Sequence, residues 1–163
     1  MSYFYYVLYI KFKMKKYNKN IILQKKNEAY SLFKKSCFSE SIKLLNQIII
    51  DDQDKDYACF FLLGTSYLHE QKLDLAETNL KKSIDLNPGY YDANHNLGVV
   101  FKLGENFSEA INYFQKALES SPKNINTIIQ LAECNERLKS FEIAKNYYLK
   151  ILELEKNHKQ ANK

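Results

Sequence analysis

The stretch that decides the fold runs from Asp92 to Pro122 and reads DANHNLGVVFKLGENFSEAINYFQKALESSP. Its apolar residues recur at three- and four-residue steps, which predicts one helix over 91–103 and a second over 107–120. Asn106 is a suitable N-cap for the second helix, and the proline that ends the stretch blocks its continuation. Gly98 works against the first helix, because glycine inside a helix costs about 1 kcal/mol relative to alanine.

The same pattern recurs along the chain with a period of 34 residues. Gly98 lies 34 residues after Gly64, and Pro122 lies 34 residues after Pro88. Two further series keep this step: Ala76, Ala110 and Ala144, and Leu63, Leu97 and Leu131. A period of this length indicates stacked supersecondary units, each made here of two helices. With only 4 glycines and 2 prolines, the sequence predicts an all-α solenoid of stacked antiparallel helix-turn-helix units.

Two units, 57–90 and 91–124, carry the fullest set of repeated residues. The second of them supplies Asn94, Leu97, Gly98, Phe101, Ala110, Phe114, Ala117 and Pro122, and the first supplies Phe60, Leu63, Gly64, Tyr67, Ala76, Leu80, Ser83 and Pro88. This pattern resembles the tetratricopeptide (TPR) repeat. Units 22–56 and 125–158 match it less completely. The resemblance covers roughly four-fifths of the chain and implies a right-handed α-solenoid.

Segments at both ends lie outside these four units. Residues 1–21 form an aromatic and basic tail, and residues 159–163 are interpreted as the possible start of a fifth unit, since Ala161 and Asn162 repeat Ala93 and Asn94. The alternative for residues 159–163 is a polar tail after four repeats. Under the first interpretation the chain is a fragment, a split gene product, or a protein that covers its open last repeat by self-association. A structural assembly unit of that kind is the second function considered.

Small residues recur at one position of each unit, and this explains why a glycine is kept inside a helix despite its low helix propensity. Ala29, Gly64, Gly98 and Ala132 occupy the point where the two helices of a unit are expected to approach most closely. A larger side chain there would force the helices apart. The other structural positions are the second-helix alanines Ala76, Ala110 and Ala144 and the closing prolines Pro88 and Pro122.

The TPR resemblance implies that the first helices line a concave groove that holds a peptide or protein segment. The residues expected to line it are Asn27, Tyr30, Phe33, Lys34, Phe61, Leu62, Thr65, Leu68, His69, Asp92, His95, Asn96, Val99, Leu103, Asn126, Ile129, Gln130, Glu133 and Arg137. The predicted function is therefore a non-catalytic scaffold for protein–protein interaction. Its partner is a peptide or protein segment of unknown identity.

Two features of this predicted groove bear on the partner. TPR adaptors of heat-shock chaperones clamp a C-terminal carboxylate with lysines and asparagines, but the matching positions here hold Lys26, Tyr30, Leu62, Asp92 and Asn96. An aspartate would repel a carboxylate, which argues against that ligand. A row of amides at Asn27, Asn96 and Gln130, interrupted at Leu62, resembles the ladder in the repeat region of O-GlcNAc transferase. The alternative is that these are exposed polar residues without a ligand.

The positive charge is concentrated at the start of the chain. The net charge is +5, but Met1 to Lys26 holds seven lysines and no acidic residue, leaving 17 basic against 19 acidic residues, a net of −2, for the rest. The repeats are therefore not expected to bind nucleic acid. For the tail, the alternatives are contact with a membrane surface, capping of the first repeat, filling of the groove, or a translation start at Met14.

No motif for catalysis or metal binding is found. The three cysteines (Cys37, Cys59 and Cys134) and three histidines do not form a zinc spacing. The acidic run at 51–56 lacks the glycine and glutamate of a calcium loop, and Asp56 is interpreted as the N-cap of the next helix. We therefore expect no enzymatic activity, no metal and no cofactor. The unpaired cysteines favour a reducing, cytoplasmic location.

Overall fold

The computed structural model describes residues 3–51 and 56–161, with side chains described for residues 13, 19–50 and 56–156. Over these residues the chain forms eight α-helices and no strand. They are α1 (Tyr3–Lys34), α2 (Phe38–Asp51), α3 (Tyr57–His69), α4 (Leu73–Leu86), α5 (Tyr91–Leu103), α6 (Phe107–Ser120), α7 (Ile125–Arg137) and α8 (Phe141–Ala161).

The helices pack only against near neighbours in the chain. Each odd-numbered helix pairs with the even-numbered helix that follows it, and each such hairpin contacts the next through α2 with α3, α4 with α5, and α6 with α7. The odd-numbered helices also contact one another in sequence, so α1, α3, α5 and α7 lie side by side. This arrangement confirms the predicted all-α solenoid.

Helix ends follow the predicted caps and stops. The Asn106 side chain accepts a hydrogen bond from the Glu109 backbone N–H at 3.3 Å, and α6 begins at the next residue. The Asp56 carboxylate accepts one from Ala58 N–H at 2.9 Å at the start of α3. At the other end, α4 and α6 each stop two residues before the proline predicted to close the unit.

The turn inside each hairpin has one repeated backbone conformation. Ser36, Gln71, Glu105 and Lys139 occupy equivalent positions and have φ between 58° and 59°. This is the left-handed region, which costs a non-glycine residue roughly 1–2 kcal/mol. The sharp reversal that it allows brings the second helix of each hairpin back along the first.

The paired helices approach most closely at the mid-helix glycines, as the period predicts. A Cβ atom added at Gly98 would lie 2.6 Å from the ring of Phe114. One added at Gly64 would lie 2.8 Å from Leu80 Cγ and 3.2 Å from the Ala76 carbonyl oxygen. The related alanines are buried as well: Ala29, Ala76, Ala110, Ala132 and Ala144 are at most 2% exposed. Packing gained at this crossing offsets the low helix propensity of glycine.

Asn94 stands where the TPR pattern has a bulky residue. Its side chain is fully buried, and its Nδ2 group donates hydrogen bonds to the carbonyl oxygens of Pro88 at 2.9 Å and Tyr90 at 3.0 Å. These two carbonyls belong to the turn between α4 and α5. Asn94 therefore fixes the junction of two units by hydrogen bonding.

Both ends differ from the sequence-based division. Residues 3–34 form one continuous helix, so the tail assigned to 1–21 and the first helix of unit 22–56 are not separated by a turn. Likewise, α8 continues unbroken to Ala161, so residues 159–161, predicted to begin a fifth unit, continue the second helix of the fourth. Neither segment contains a glycine or proline to interrupt the helix, and Lys156 replaces the proline expected there. Asn162 and Lys163 lie outside the described residues, as do the side chains of residues 1–12.

Candidate functional site: the concave face of the first helices

The four first helices present one continuous face. Of the residues expected to line it, eight are exposed: Asn27, Tyr30, Lys34, His69, Asp92, Leu103, Asn126 and Arg137. Nine are half-buried: Phe33, Phe61, Leu68, His95, Asn96, Val99, Ile129, Gln130 and Glu133. We call this surface the concave face, after the groove that the TPR resemblance implies.

Two predicted groove residues do not line the face. Leu62 is only 8% exposed and lies in the core with Ala29, Leu45 and Ile48. Thr65 is 6% exposed. Their assignment to the groove was wrong, because Leu62 packs in the cluster formed by residues of α1 and α2, and the Thr65 hydroxyl is bonded to Asn96 of α5.

Polar groups on the concave face are bonded to one another across neighbouring helices. The Asn96 amide on α5 donates to the Thr65 hydroxyl on α3 at 2.9 Å. Lys102, also on α5, donates to Gln130 Oε1 on α7 at 2.7 Å and forms an ion pair with Glu133. Two members of the predicted amide row, Asn96 and Gln130, therefore hold the helices together. The third, Asn27, is exposed on α1.

A second polar link joins α5 and α7 near their starts. The hydroxyls of Tyr91 and Thr127 hydrogen bond at 2.6 Å, and His95 Nδ1 lies 2.9 Å from the same Thr127 oxygen. The His95 ring packs against Tyr91 and Phe114 at centroid distances of 5.8 and 5.4 Å. Burial lowers the pKa of His95, and the charge of Asp92 opposes this only in part. His95 is therefore a half-buried residue that packs on its neighbours.

The positions that hold the carboxylate clamp in TPR adaptors carry other interactions in this chain. Lys26 Nζ lies 3.3 Å from an oxygen of Asp56, the residue that caps α3. Asp92 is exposed at the start of α5. The charge pattern on this part of the face therefore does not favour a carboxylate.

The first half of the face carries an aromatic cluster that sequence reasoning missed in part. The Tyr90 ring lies 5.1 Å from Tyr57 and 5.0 Å from Phe61, with interplanar angles of 73° and 74°. Phe61 was expected in the groove, but Tyr57 and Tyr90 were not. The sequence did indicate part of this cluster, because Tyr57 and Phe61 are four residues apart on one helix and therefore share a face.

The described residues also include other titratable and thiol side chains. Among the described residues, no group of three or more histidine, cysteine, aspartate or glutamate side chains is placed to hold a metal ion. The three cysteines are thiols, and burial raises the pKa of Cys134. Within the same part of the chain, no helix is both long and apolar enough to cross a membrane.

Comparison with known proteins agrees with this geometry. The family model described as "Tetratricopeptide repeat" matches residues 57–90, 91–124 and 125–158, well over half of the chain. A crystal structure of MamA superimposes with a TM-score of 0.74 and 21% identity, covering 88% of this chain and 87% of that one. At that identity the likeness concerns the fold. The chain belongs to the tetratricopeptide repeat family.

Two curated relatives each match part of this chain. One is "Tetratricopeptide repeat domain-containing protein PYG7, chloroplastic" of Arabidopsis thaliana, which is 31% identical over 96 residues, 57% of this chain and 32% of the relative. The other is a UDP-N-acetylglucosamine–peptide N-acetylglucosaminyltransferase of Giardia intestinalis, 29% identical over 109 residues, 65% of this chain and 7% of the relative. The chain thus spans about a third of the first relative and a small part of the second.

Proposed function

We propose that this protein is a non-catalytic interaction module that holds a peptide or protein segment on its concave face. TPR folds in general serve protein–protein interaction, and the finer assignment to this face rests on one observation. Three polar side chains of the face, Asn96, Gln130 and Glu133, are bonded to residues of neighbouring helices, whereas apolar and aromatic side chains there remain open to solvent. Tyr30 is 51% and Leu103 56% exposed.

Exposed apolar surface next to satisfied polar groups favours a protein ligand. Burying the open side chains of Tyr30 and Leu103 yields roughly 25 cal/mol per Å² of apolar area. No internal hydrogen bond has to break first, because the Asn96–Thr65 and Lys102–Gln130 links lie between helices and stay intact. The face can therefore bind an extended segment without rearranging.

A test of this proposal compares two exposed leucines. Peptides selected from a random 12-residue display library on the full chain are titrated against Leu103→Ala, on the concave face, and Leu75→Ala, on α4, where the leucine is 45% exposed. We expect Leu103→Ala to weaken binding about tenfold, since truncating one buried leucine contact removes roughly 1.4 kcal/mol or more. Leu75→Ala is expected to have no effect. Equal effects of the two variants, or selection of no peptide at all, would contradict the proposal.

A second function is favoured by a specific surface on the last hairpin. Phe141, Leu149 and Leu152 of α8 are 64%, 54% and 62% exposed. Together with Ala144 and Tyr148 they line a shallow groove of about 380 Å³. In a solenoid each inner hairpin is covered by the next, so this face is the one that a further helix would cover. We propose, as the alternative, that it mates with a second copy of this chain.

Solution mass against concentration tests this alternative. Light scattering is expected to show a mass above 19.2 kDa that rises with concentration. Leu152→Glu or Tyr148→Glu should restore the monomer by placing a charge in the contact. Leu103→Glu, on the concave face, is the control and should not change the association. A wild-type chain that stays at the monomer mass over the whole concentration range would exclude self-association.

A further inference from the structure

One position of the first helix records whether another hairpin covers it. In the second, third and fourth hairpins this position holds Leu63, Leu97 and Leu131, which are at most 2% exposed. Each of these leucines lies in a core cluster with residues of the hairpin that precedes it. A leucine here is therefore what a first helix uses to pack on a preceding hairpin.

The first helix, α1, is polar on the corresponding side. Glu28 directly precedes the small residue at the helix crossing, as Leu63 does in the next hairpin, and it is exposed. Gln24 and Ser31, about one turn away on either side, are exposed as well. We call these three residues the polar row of α1. A polar outward side of this kind is typical of the capped end of a solenoid.

The last helix, α8, has the opposite character. On α6, Phe107 and Leu118 are half-buried and pack on the cluster that includes Leu131 of the next hairpin. The residues 34 positions later, Phe141 and Leu152, are both exposed on α8. The two ends of the described solenoid therefore do not match, because one is polar and the other carries the apolar residues that inner hairpins bury.

Leu149 makes the apolar surface of α8 broader than a further repeat requires. The equivalent residues are Lys81 on α4 and Gln115 on α6, and both are exposed although the next hairpin packs on these helices. A following hairpin therefore does not cover this position. On α8 the position is apolar, and Leu149 lines the shallow groove together with Tyr148 and Leu152. This extra leucine favours a partner other than a further TPR hairpin.

We infer that α8 of one copy packs on α8 of a second copy across a two-fold axis, giving a closed dimer. The inference rests on the self-association proposed above as the alternative function, and it names the surface that the second copy uses. In a two-fold interface the same surface is contributed by both copies, so each apolar face covers the other and none is left to extend the assembly. A head-to-tail contact would instead cover Gln24 and Glu28 with apolar side chains, and these polar groups would lose hydration without gaining partners.

The length and charge of α8 suit this contact. Its 21 residues extend over about 30 Å. The charged residues that line its groove are two carboxylates, Glu136 and Glu142, and one ammonium group, Lys145, so two copies approach with little net repulsion. The concave face lies on α1, α3, α5 and α7, and the contact does not use it. The dimer therefore presents two concave faces, which gives avidity for a partner that carries two binding segments.

The limiting mass of the assembly is the first test. Light scattering on the full chain is expected to level off at twice the monomer mass of 19.2 kDa as the concentration rises. A mass that continues to rise beyond this value would overturn the closed dimer while leaving self-association intact. A monomer mass at every concentration would contradict both.

A charge exchange at Leu149 is the second test, because this residue lies near the middle of the exposed part of α8. Leu149→Glu and Leu149→Lys are each expected to weaken the dimer about tenfold or more, since a lone charge is costly in an apolar contact. An equimolar mixture of the two variants should recover dimers, because a two-fold contact brings the introduced carboxylate of one copy close to the introduced ammonium of the other. In a head-to-tail contact both changes lie on the same surface, so mixing restores nothing. Failure of the mixture to form dimers would overturn the inference.

Glu28→Lys is the matched control on the other end of the solenoid. It changes an exposed charge in the polar row of α1 and is expected to leave the dimer unchanged. Loss of association in this variant would show that the α1 end takes part, which contradicts the two-fold contact through α8. Circular dichroism melting confirms that each variant is folded.

Discussion

Replacing Phe114 with alanine is expected to lower the free energy of unfolding by about 3–5 kcal/mol. The side chain is 0% exposed and is among the largest fully buried ones in the described part of the chain. It packs with Leu131 and Cys134 of α7 as well as against its own hairpin partner, α5. Its removal therefore leaves a cavity at the junction of two units, and little around it can collapse because both helices are held by other contacts.

The control for this variant is Phe141→Ala. Phe141 is 64% exposed at the start of α8, so truncating it opens no cavity, and we expect a loss of no more than about 0.5 kcal/mol. Urea unfolding followed by circular dichroism at 222 nm measures both variants. Hydrogen exchange should show that the loss in Phe114→Ala is concentrated in α5–α8, since the residues clustered with Phe114 all lie in these helices. Similar losses for the two phenylalanines would show that the buried ring is not a principal contact.

Replacing Gly98 with leucine is expected to destabilise the protein by more than about 2 kcal/mol through overpacking. A single Cβ atom at this position already lies 2.6 Å from the Phe114 ring, which is closer than real Cβ atoms come. The ring cannot move aside freely, because it is completely buried. Even Gly98→Ala is therefore expected to reduce stability, although alanine has the higher helix propensity.

Gly104→Ala separates this packing effect from the general effect of replacing a glycine. Gly104 ends α5 with φ −79°, and the nearest atoms to an added Cβ are carbonyl oxygens at 3.6 Å. We expect Gly104→Ala to be neutral or to stabilise by roughly 0.4–1 kcal/mol. An unchanged midpoint of thermal unfolding for Gly98→Leu would contradict the close-approach explanation. In the double variant Gly98→Ala with Phe114→Leu, the smaller partner should recover part of the loss.

The inner hairpins could be predicted from sequence because local signals and packing signals agree there. Asn106 caps, Pro122 stops, and Gly98 marks the crossing, so the bounds of α5 and α6 follow from the residues alone. At the ends these signals are missing. No residue in 3–34 or 141–161 interrupts the helix. The 34-residue period alone does not show how far such a helix extends beyond its unit.

The candidate site was less predictable because it depends on contacts between units. The repeat assigns Leu62 and Thr65 to the groove by position, but burial there is decided by how the neighbouring helices pack on α3. The Asn96–Thr65 bond could not be read from a pattern of exposed amides. Tyr90 lies in the turn before α5, outside the positions from which first helices usually contribute, and only the packed structure places it against Tyr57.

The near-neighbour packing of the helices also has a consequence for how quickly the chain folds. Every contact between elements in the described residues joins helices that are one or two apart in sequence. The relative contact order is therefore low, and proteins of this kind fold in microseconds to milliseconds because no long loop has to close before contacts form. Each hairpin can form as soon as it leaves the ribosome, and its neighbour then adds to an existing surface.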